Sequence, residues 1–193
     1  MVSARSETAR AAARSWPRRN ALLARIGAVD DAVDRWFDRY RRPALDPVFY
    51  GLSSAADHAL LWIAIGALRA ARRGEPAIAL RFGAALGAES ALTNGLIKLA
   101  FRRIRPASAP PGALPYGLHR PRTSAFPSGH AASAFMAATL LSEGSGTAPA
   151  YFTLASLVAA SRVYVRMHHA SDTVAGAVLG LALGQVAKQL LAR

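Results

Sequence analysis

Eight residues in the second half of the chain have the types and spacing needed to hold an anion and attack it. Pro127-Ser128-Gly129-His130 marks the change from a proline-rich stretch to an alanine-rich one. Ser128 is a good helix N-cap, and Gly129 lets a ligand approach the backbone closely. The first amides of the helix that begins there are free donors at the positive end of its dipole, which suits phosphate. His130 falls in the first turn, within reach of a bound group. Upstream, Lys98 is followed after six residues by Arg105-Pro106. Downstream, Ser161-Arg162 is followed after five residues by His168, with Asp172 four positions further on. Lys98 and Lys188 are the two lysines among 24 basic residues, so a lysine inside an apolar stretch is not compositional background. Three cations, two histidines and a carboxylate are the parts required to bind a phosphoryl group and transfer it.

Taken together, residues 98–106, 127–130 and 161–172 resemble the three signature motifs of the type 2 phosphatidic acid phosphatase superfamily. That superfamily includes membrane lipid phosphatases, bacterial acid phosphatases and vanadium haloperoxidases. The resemblance spans roughly residues 50–190, and the motifs match in order and internal spacing. One departure is His169-Ala170, where lipid phosphatases often carry an aromatic residue and a proline; the spacing still assigns the motif's histidine to His168. The resemblance implies that His168 attacks phosphorus to form a phosphohistidine and that His130 protonates the leaving alcohol. His130 then activates the hydrolytic water, while Asp172 fixes the tautomer of His168. Lys98, Arg105 and Arg162, with Ser128 and the amide of Gly129, would bind the phosphate. No metal or other cofactor is expected. Adjacent histidines on a helix point about 100° apart, and three neighbouring cations would repel a metal ion from His168, His169 and Asp172.

Those residues need a scaffold. At 193 residues there is room for one domain with one core. Hydrophobic residues make up 52% of the chain and mean hydropathy is +0.19. With no cysteine there is no disulfide framework and no reading of the redox compartment. A net charge of +13 suits an anionic lipid or an anionic substrate. Nucleic acid is not expected as a partner, because no basic stripe is interleaved with aromatic residues and no zinc-finger spacing is present. Residues 1–20 carry arginines without an apolar centre, so they do not read as a cleavable signal. The arginine–alanine bias looks like that of a high-GC bacterium, and with the resemblance an actinobacterial source is expected.

The chain divides into a disordered basic tail (1–19), an amphipathic interfacial helix (20–42) and a helical-bundle domain (43–193). In the second segment Leu22, Ile26, Val29, Val33, Trp36, Phe37 and Tyr40 recur at steps of three and four, giving one apolar face. Asp30, Asp31, Asp34 and Asp38 populate the other face among arginines, and Asn20 caps the start. Such a helix lies along a bilayer surface or packs sideways on other helices. Asp57-His58 opens an apolar run over 59–68, with His58 read as a hydrogen-bonded interfacial residue. Pro76 starts a helix reaching about residue 101, with Glu89 at mid-depth, where a carboxylate is costly unless paired; a structural role is expected for it. Residues 102–126 are too rich in proline for a helix and form a loop over the site, with His119, Arg120 and Arg122 read as solvated. Further helices cover 130–141, 149–165 and 173–191. The last carries Gly176, Gly180 and Gly184 at four-residue spacing, a close-packing face better suited to internal packing than to a homo-oligomer.

No stretch alternates like a strand, so the fold is all-α. Several apolar runs fall short of the roughly 20 residues of a membrane span, and the membrane is inferred from the apolar fraction and the resemblance. About five spans joined by short turns would bring every candidate residue to one end of the bundle. The expected function is a multi-pass plasma-membrane phosphatase for a lipid phosphomonoester or pyrophosphate, its active end on the cytoplasmic side with the basic tail. Candidate substrates are phosphatidic acid, phosphatidylglycerol phosphate, a polyprenyl pyrophosphate and a polyprenylphosphoryl-phosphoribose. A soluble acid phosphatase or haloperoxidase, and a non-catalytic lipid-binding protein, are the alternatives.

Overall fold

A computed structural model of the chain describes residues 20–106, 118, 121, 123–144 and 146–191. The expected tail, and His119, Arg120 and Arg122, lie outside the described residues. Among the described residues there are seven α-helices and no strand.

The first helix, α1 (Ala21–Tyr40), starts where Asn20 accepts the Leu22 amide at 2.9 Å and stops before Pro43. Leu22, Val29, Trp36 and Tyr40 form an exposed stripe along it, while Asp30, about 100° round the helix from Val29, is only 1% exposed. Sequence placed the aspartates together on the non-apolar face among arginines; the structure turns Asp30 of that face inward, against partners that come from distant parts of the chain.

A short 3₁₀ turn, Pro43–Leu45, leads into α2 (Asp46–Ala55), and the turn Asp57–Ala59 leads into α3 (Leu60–Arg73). The two are bent by 64° at that turn. His58 and Ala59 there have φ of 53° and 59°, two consecutive residues in the left-handed region without glycine, which costs on the order of 1–3 kcal/mol each. Gly74, at φ 69°, ends α3 with its amide on Ala71 O. α4 (Pro76–Ser90) begins on a proline and runs on through a π-helical turn, Ala91–Leu96, into a 3₁₀ turn, Ile97–Ala100. The stretch that periodicity reads as one helix thus has three geometries, and π-turns of this kind gather at functional sites.

The centre of the molecule is α5 (Gly129–Leu141), capped by Ser128 and buried along nearly its whole length. α6 (Ala148–Tyr164) and α7 (Ala170–Leu191) pack against it. Small residues make this possible. A Cβ on Gly176 would sit 2.3 Å from Ser128 O, and one on Gly180 would sit 2.2 Å from Ala132 O. The glycine stripe of α7 therefore meets α5 within the chain. The same contact pins the motif-bearing starts of α5 and α7 together, and the Ser128 amide donates to Asp172 O at 3.0 Å. Away from the site, Trp62, Phe82, Leu86, Met136 and Val158 fill the core. By length and composition α7 is able to cross a membrane, and α2 with α3 passes the same test as one bent pair.

Candidate active site

Lys98, Arg105, Gly129, His130, Arg162 and His168, far apart in sequence, line one cavity of about 510 Å³. Asp57, His58, Asn94, Thr123 and Ser133 complete much of its wall. The cations arrive from three directions: the 3₁₀ turn after α4, the extended segment 101–106, and the last turn of α6.

His168 is 2% exposed and sits on the approach to α7. Its Nδ1 lies 2.7 Å from Ala125 O. A carbonyl only accepts, so Nδ1 carries the hydrogen. Arg105 Nη1 is 3.2 Å from Nε2, and a guanidinium only donates, so Nε2 presents its lone pair. Burial, followed by the charges of Arg162, Arg105 and Lys98, holds this imidazole well below the ordinary histidine range. The result is a neutral ring whose unprotonated Nε2 faces the Arg105 guanidinium, the form in which an imidazole can act as a nucleophile.

Asp172 does not make the contact expected of it. Its Oδ2 is 3.8 Å from His168 Nδ1, beyond hydrogen-bonding distance. The reason is local: α7 begins at Ala170, so His168 precedes the helix and the pair is not stacked on a helical face. As the third residue of α7, Asp172 reaches back to the His169 amide at 2.8 Å, in the manner of a capping box. Its other oxygen takes Arg103 Nη1 at 2.5 Å. Ser128 caps α5 as expected: its side chain is wholly buried and accepts the Ala131 amide at 3.4 Å. It does not line the cavity, where the sequence also expects it to meet phosphate. Gly129 does line the cavity, and a Cβ there would meet Asn94 Oδ1 at 2.7 Å.

Arg105 is aimed by carbonyls, donating to Met167 O at 2.7 Å and to Ser124 O at 3.3 Å. Arg162 donates to the buried Ser53 hydroxyl. Glu89 accepts from Ser133 Oγ at 2.5 Å and from Thr93 Oγ1 at 2.7 Å, beneath the cavity wall. His169 is buried beside Asp34, its Nδ1 3.4 Å from Oδ2.

Two participants escaped sequence reasoning. Asp57 Oδ1 lies 2.7 Å from His130 Nε2, and Arg103 links Asp172 to Asp30 of α1. The first left no signal, because the partners are 73 positions apart with no fixed spacing. The second had a faint one. In the extended segment after Phe101, Arg103 and Arg105 are buried while Arg102 and Ile104 are exposed, the alternation that places i and i+2 on one face.

Comparison with known proteins agrees with this geometry. The PAP2 superfamily profile matches residues 78–193. The chain is 30% identical over 148 residues to decaprenylphosphoryl-5-phosphoribose phosphatase of Mycobacterium tuberculosis, covering 75% of this chain and 80% of that protein. A transmembrane PAP2-type phosphatidylglycerolphosphate phosphatase from Bacillus subtilis superimposes with a TM-score of 0.68 at 26% identity, over 86% of this chain and 85% of that one. LpxE from Aquifex aeolicus gives 0.64 at 26% identity, over 82% and 93%. An all-helical body with this cationic cavity is a phosphoric monoester hydrolase of the membrane lipid phosphatase kind. The chain belongs to the PAP2 superfamily.

Proposed function

We propose that this chain is a metal-independent, multi-pass membrane enzyme that dephosphorylates a polyprenyl-linked sugar phosphate through a phosphohistidine on His168. The observation that carries the reading is the unprotonated Nε2 of His168, facing the Arg105 guanidinium in a cavity that Lys98 and Arg162 also line. The substrate class is taken from the 30% identical mycobacterial relative, whose substrate joins a polyprenyl chain to a phosphoribose.

In the first step Nε2 forms a bond to phosphorus as the bond from phosphorus to the leaving oxygen breaks. Lys98, Arg105 and Arg162 neutralise the charge on the equatorial oxygens. His130 gives the leaving alcohol its proton. Because the Asp57 carboxylate accepts from Nε2 of His130, Nδ1 is the nitrogen that exchanges this proton. In the second step a water attacks phosphorus, returns a proton to His130, and the bond to His168 breaks. Inorganic phosphate leaves and both rings return to their starting state. Asp172 acts by holding the His169 amide and Arg103 rather than by touching the nucleophile.

The test is phosphate release by the purified chain in detergent with a chelator present. The substrates are decaprenylphosphoryl-5-phosphoribose, phosphatidylglycerol phosphate, phosphatidic acid and a polyprenyl pyrophosphate. The reading expects the highest kcat/KM on the phosphoribose lipid and no release by His168→Ala. Inhibition by the chelator, or an active His168→Ala chain, would falsify the mechanism, and a preference for a glycerolipid would reassign the substrate.

A further inference from the structure

We infer that Asp30, on the surface helix α1, is a positioning residue for phosphoryl transfer: through Arg103 and Ser171 it sets the segment that carries His168. This rests on the assignment of His168 as nucleophile.

Asp30 is fully engaged. Oδ1 accepts the Ser171 amide at 2.8 Å, and Oδ2 accepts Ser171 Oγ at 2.7 Å and Arg103 Nη2 at 2.5 Å. The other terminal nitrogen of Arg103, Nη1, donates to Ser171 Oγ at 2.7 Å and to Asp172 Oδ1 at 2.5 Å. Arg103 therefore sits between two buried carboxylates, one from α1 and one from the first turn of α7. Asp30, Arg103 and Asp172 are absent from the cavity lining, so none of the three is placed to touch substrate. Well-packed apolar residues are often at least as stabilising as a buried ion network, so stability alone is a weak reason for burying these charges.

What the network does is fix the loop on both sides of His168. On one side, Asp172 holds the His169 amide. On the other, Arg103 O accepts the Ala125 amide at 2.9 Å, and Ala125 O in turn takes His168 Nδ1–H at 2.7 Å. Arg103 thus controls the nucleophile's tautomer through its backbone and the following helix start through its side chain. Asp30 locks the guanidinium in the orientation that serves both. The next turns of α1 extend the splint. Asp34 pairs with Arg166 at 3.0 Å and Asp38 also reaches Arg166, a residue held at φ 60° in the same loop. α1 is therefore braced along residues 166–171 by three aspartates on successive turns, and Asp30 is the one that reaches the catalytic strut.

The experiment is steady-state kinetics on the full chain in detergent, with the thermal midpoint measured alongside. Asp30→Asn keeps the shape and removes the charge. Because the phosphate cavity is untouched, kcat should fall about tenfold or more with KM unchanged, the signature of an imidazole displaced by a fraction of an ångström. Ser171→Ala removes two contacts but leaves the charges paired, and it should lower kcat by a smaller factor, again at constant KM. Wild-type kcat in Asp30→Asn, or a fall in kcat only in proportion to lost folded protein, overturns the inference. If Asp30→Asn does not fold, Ser171→Ala decides: reduced kcat at wild-type KM supports the role and unchanged kcat overturns it. An inactive wild type or an active His168→Ala chain overturns the nucleophile assignment as well, whereas full kcat in Asp30→Asn beside a dead His168→Ala chain overturns this inference alone.

Discussion

His130 Nε2 lies 2.7 Å from Asp57 Oδ1, tying the first turn of α5 to the bend between α2 and α3. Two successive non-glycine residues, His58 and Ala59, take up left-handed backbone in that bend, immediately after Asp57. On the proposed mechanism a carboxylate on the far nitrogen keeps His130 oriented and offsets part of what burial and the Arg162 charge take from its protonated form, which would make Asp57 part of the acid–base apparatus although no motif contains it. Asp57→Asn should lower kcat on the lipid substrate by about 10²-fold, the lower end of what a positioned general acid contributes. With p-nitrophenyl phosphate, whose leaving group needs no proton, the loss should be much smaller. Equal losses on both substrates would remove Asp57 from the proton-transfer role.

The tautomer of His168 supplies a second test. A ring that donates from Nδ1 to Ala125 and is buried among cations binds its second proton reluctantly. In ¹⁵N-histidine spectra, with His168 assigned by comparison with His168→Ala, the neutral Nδ1–H form should persist as pH falls below about 6.5, where a free imidazole protonates. The sign carries over to stability. The unfolded chain takes up this proton and the folded chain does not, so the ring's contribution is complete above the unfolded value and is lost as pH falls beneath it. A ring that is already protonated at or above that value contradicts the geometry.

Much of this arrangement is legible in the chain itself. Asn20, Pro76, Ser128 and Pro149 mark helix starts because capping and fixed φ are local physics, and the structure starts helices at or next to each of them. Lys98, Arg105, His130, Arg162 and His168 are legible as a group because antiparallel helices joined by short turns return them to one end. The partners that orient them are not. Asp57, Arg103 and Ser53 act across tertiary contacts, where any chain position is as good as another. The burial of Asp30 is not legible either, because an amphipathic pattern tells which residues share a face, not which face is buried. The helical spacing of His168 and Asp172 misleads for a related reason, since the helix starts between them. The change of winding after Ser90 has no periodic signature, because π and 3₁₀ turns each last only a few residues.

The seam between α5 and α7 makes a prediction about stability. Gly180 leaves no room for a side chain, with Ala132 O 2.2 Å from where a Cβ would sit, whereas Gly83 in α4 has nothing within 4 Å. Gly180→Ala should destabilise by about 1–3 kcal/mol, the usual cost of overpacking. The backbone offers no soft atom to move aside, and the starts of α5 and α7 would separate with it. Gly83→Ala should be neutral or stabilising by up to about 1 kcal/mol, since alanine is the better helix former. Thermal midpoints in detergent compare the two, and an unperturbed Gly180→Ala would mean that α5 and α7 are not closely packed at this position.

The exposed stripe of α1 predicts where the enzyme meets lipid. Trp36 is 57% exposed and Tyr40 51%, and Leu22 and Val29 continue the same line. The buried side of the helix is tied to the start of α7 and the loop before it through Asp30 and Asp34. A tryptophan and a tyrosine on one edge of an amphipathic helix are suited to the headgroup region, where the rings are partly buried and their polar atoms stay wet. In proteoliposomes, the fluorescence lost on Trp36→Phe should be emission that bromine placed high on the acyl chains quenches strongly and bromine near the bilayer centre quenches weakly. Trp62, fully buried in the core, supplies an internal reference of low quenching from both. If aqueous iodide quenches the Trp36 component as well with lipid as without it, α1 does not rest on the bilayer, and its link to the catalytic loop is structural bracing alone.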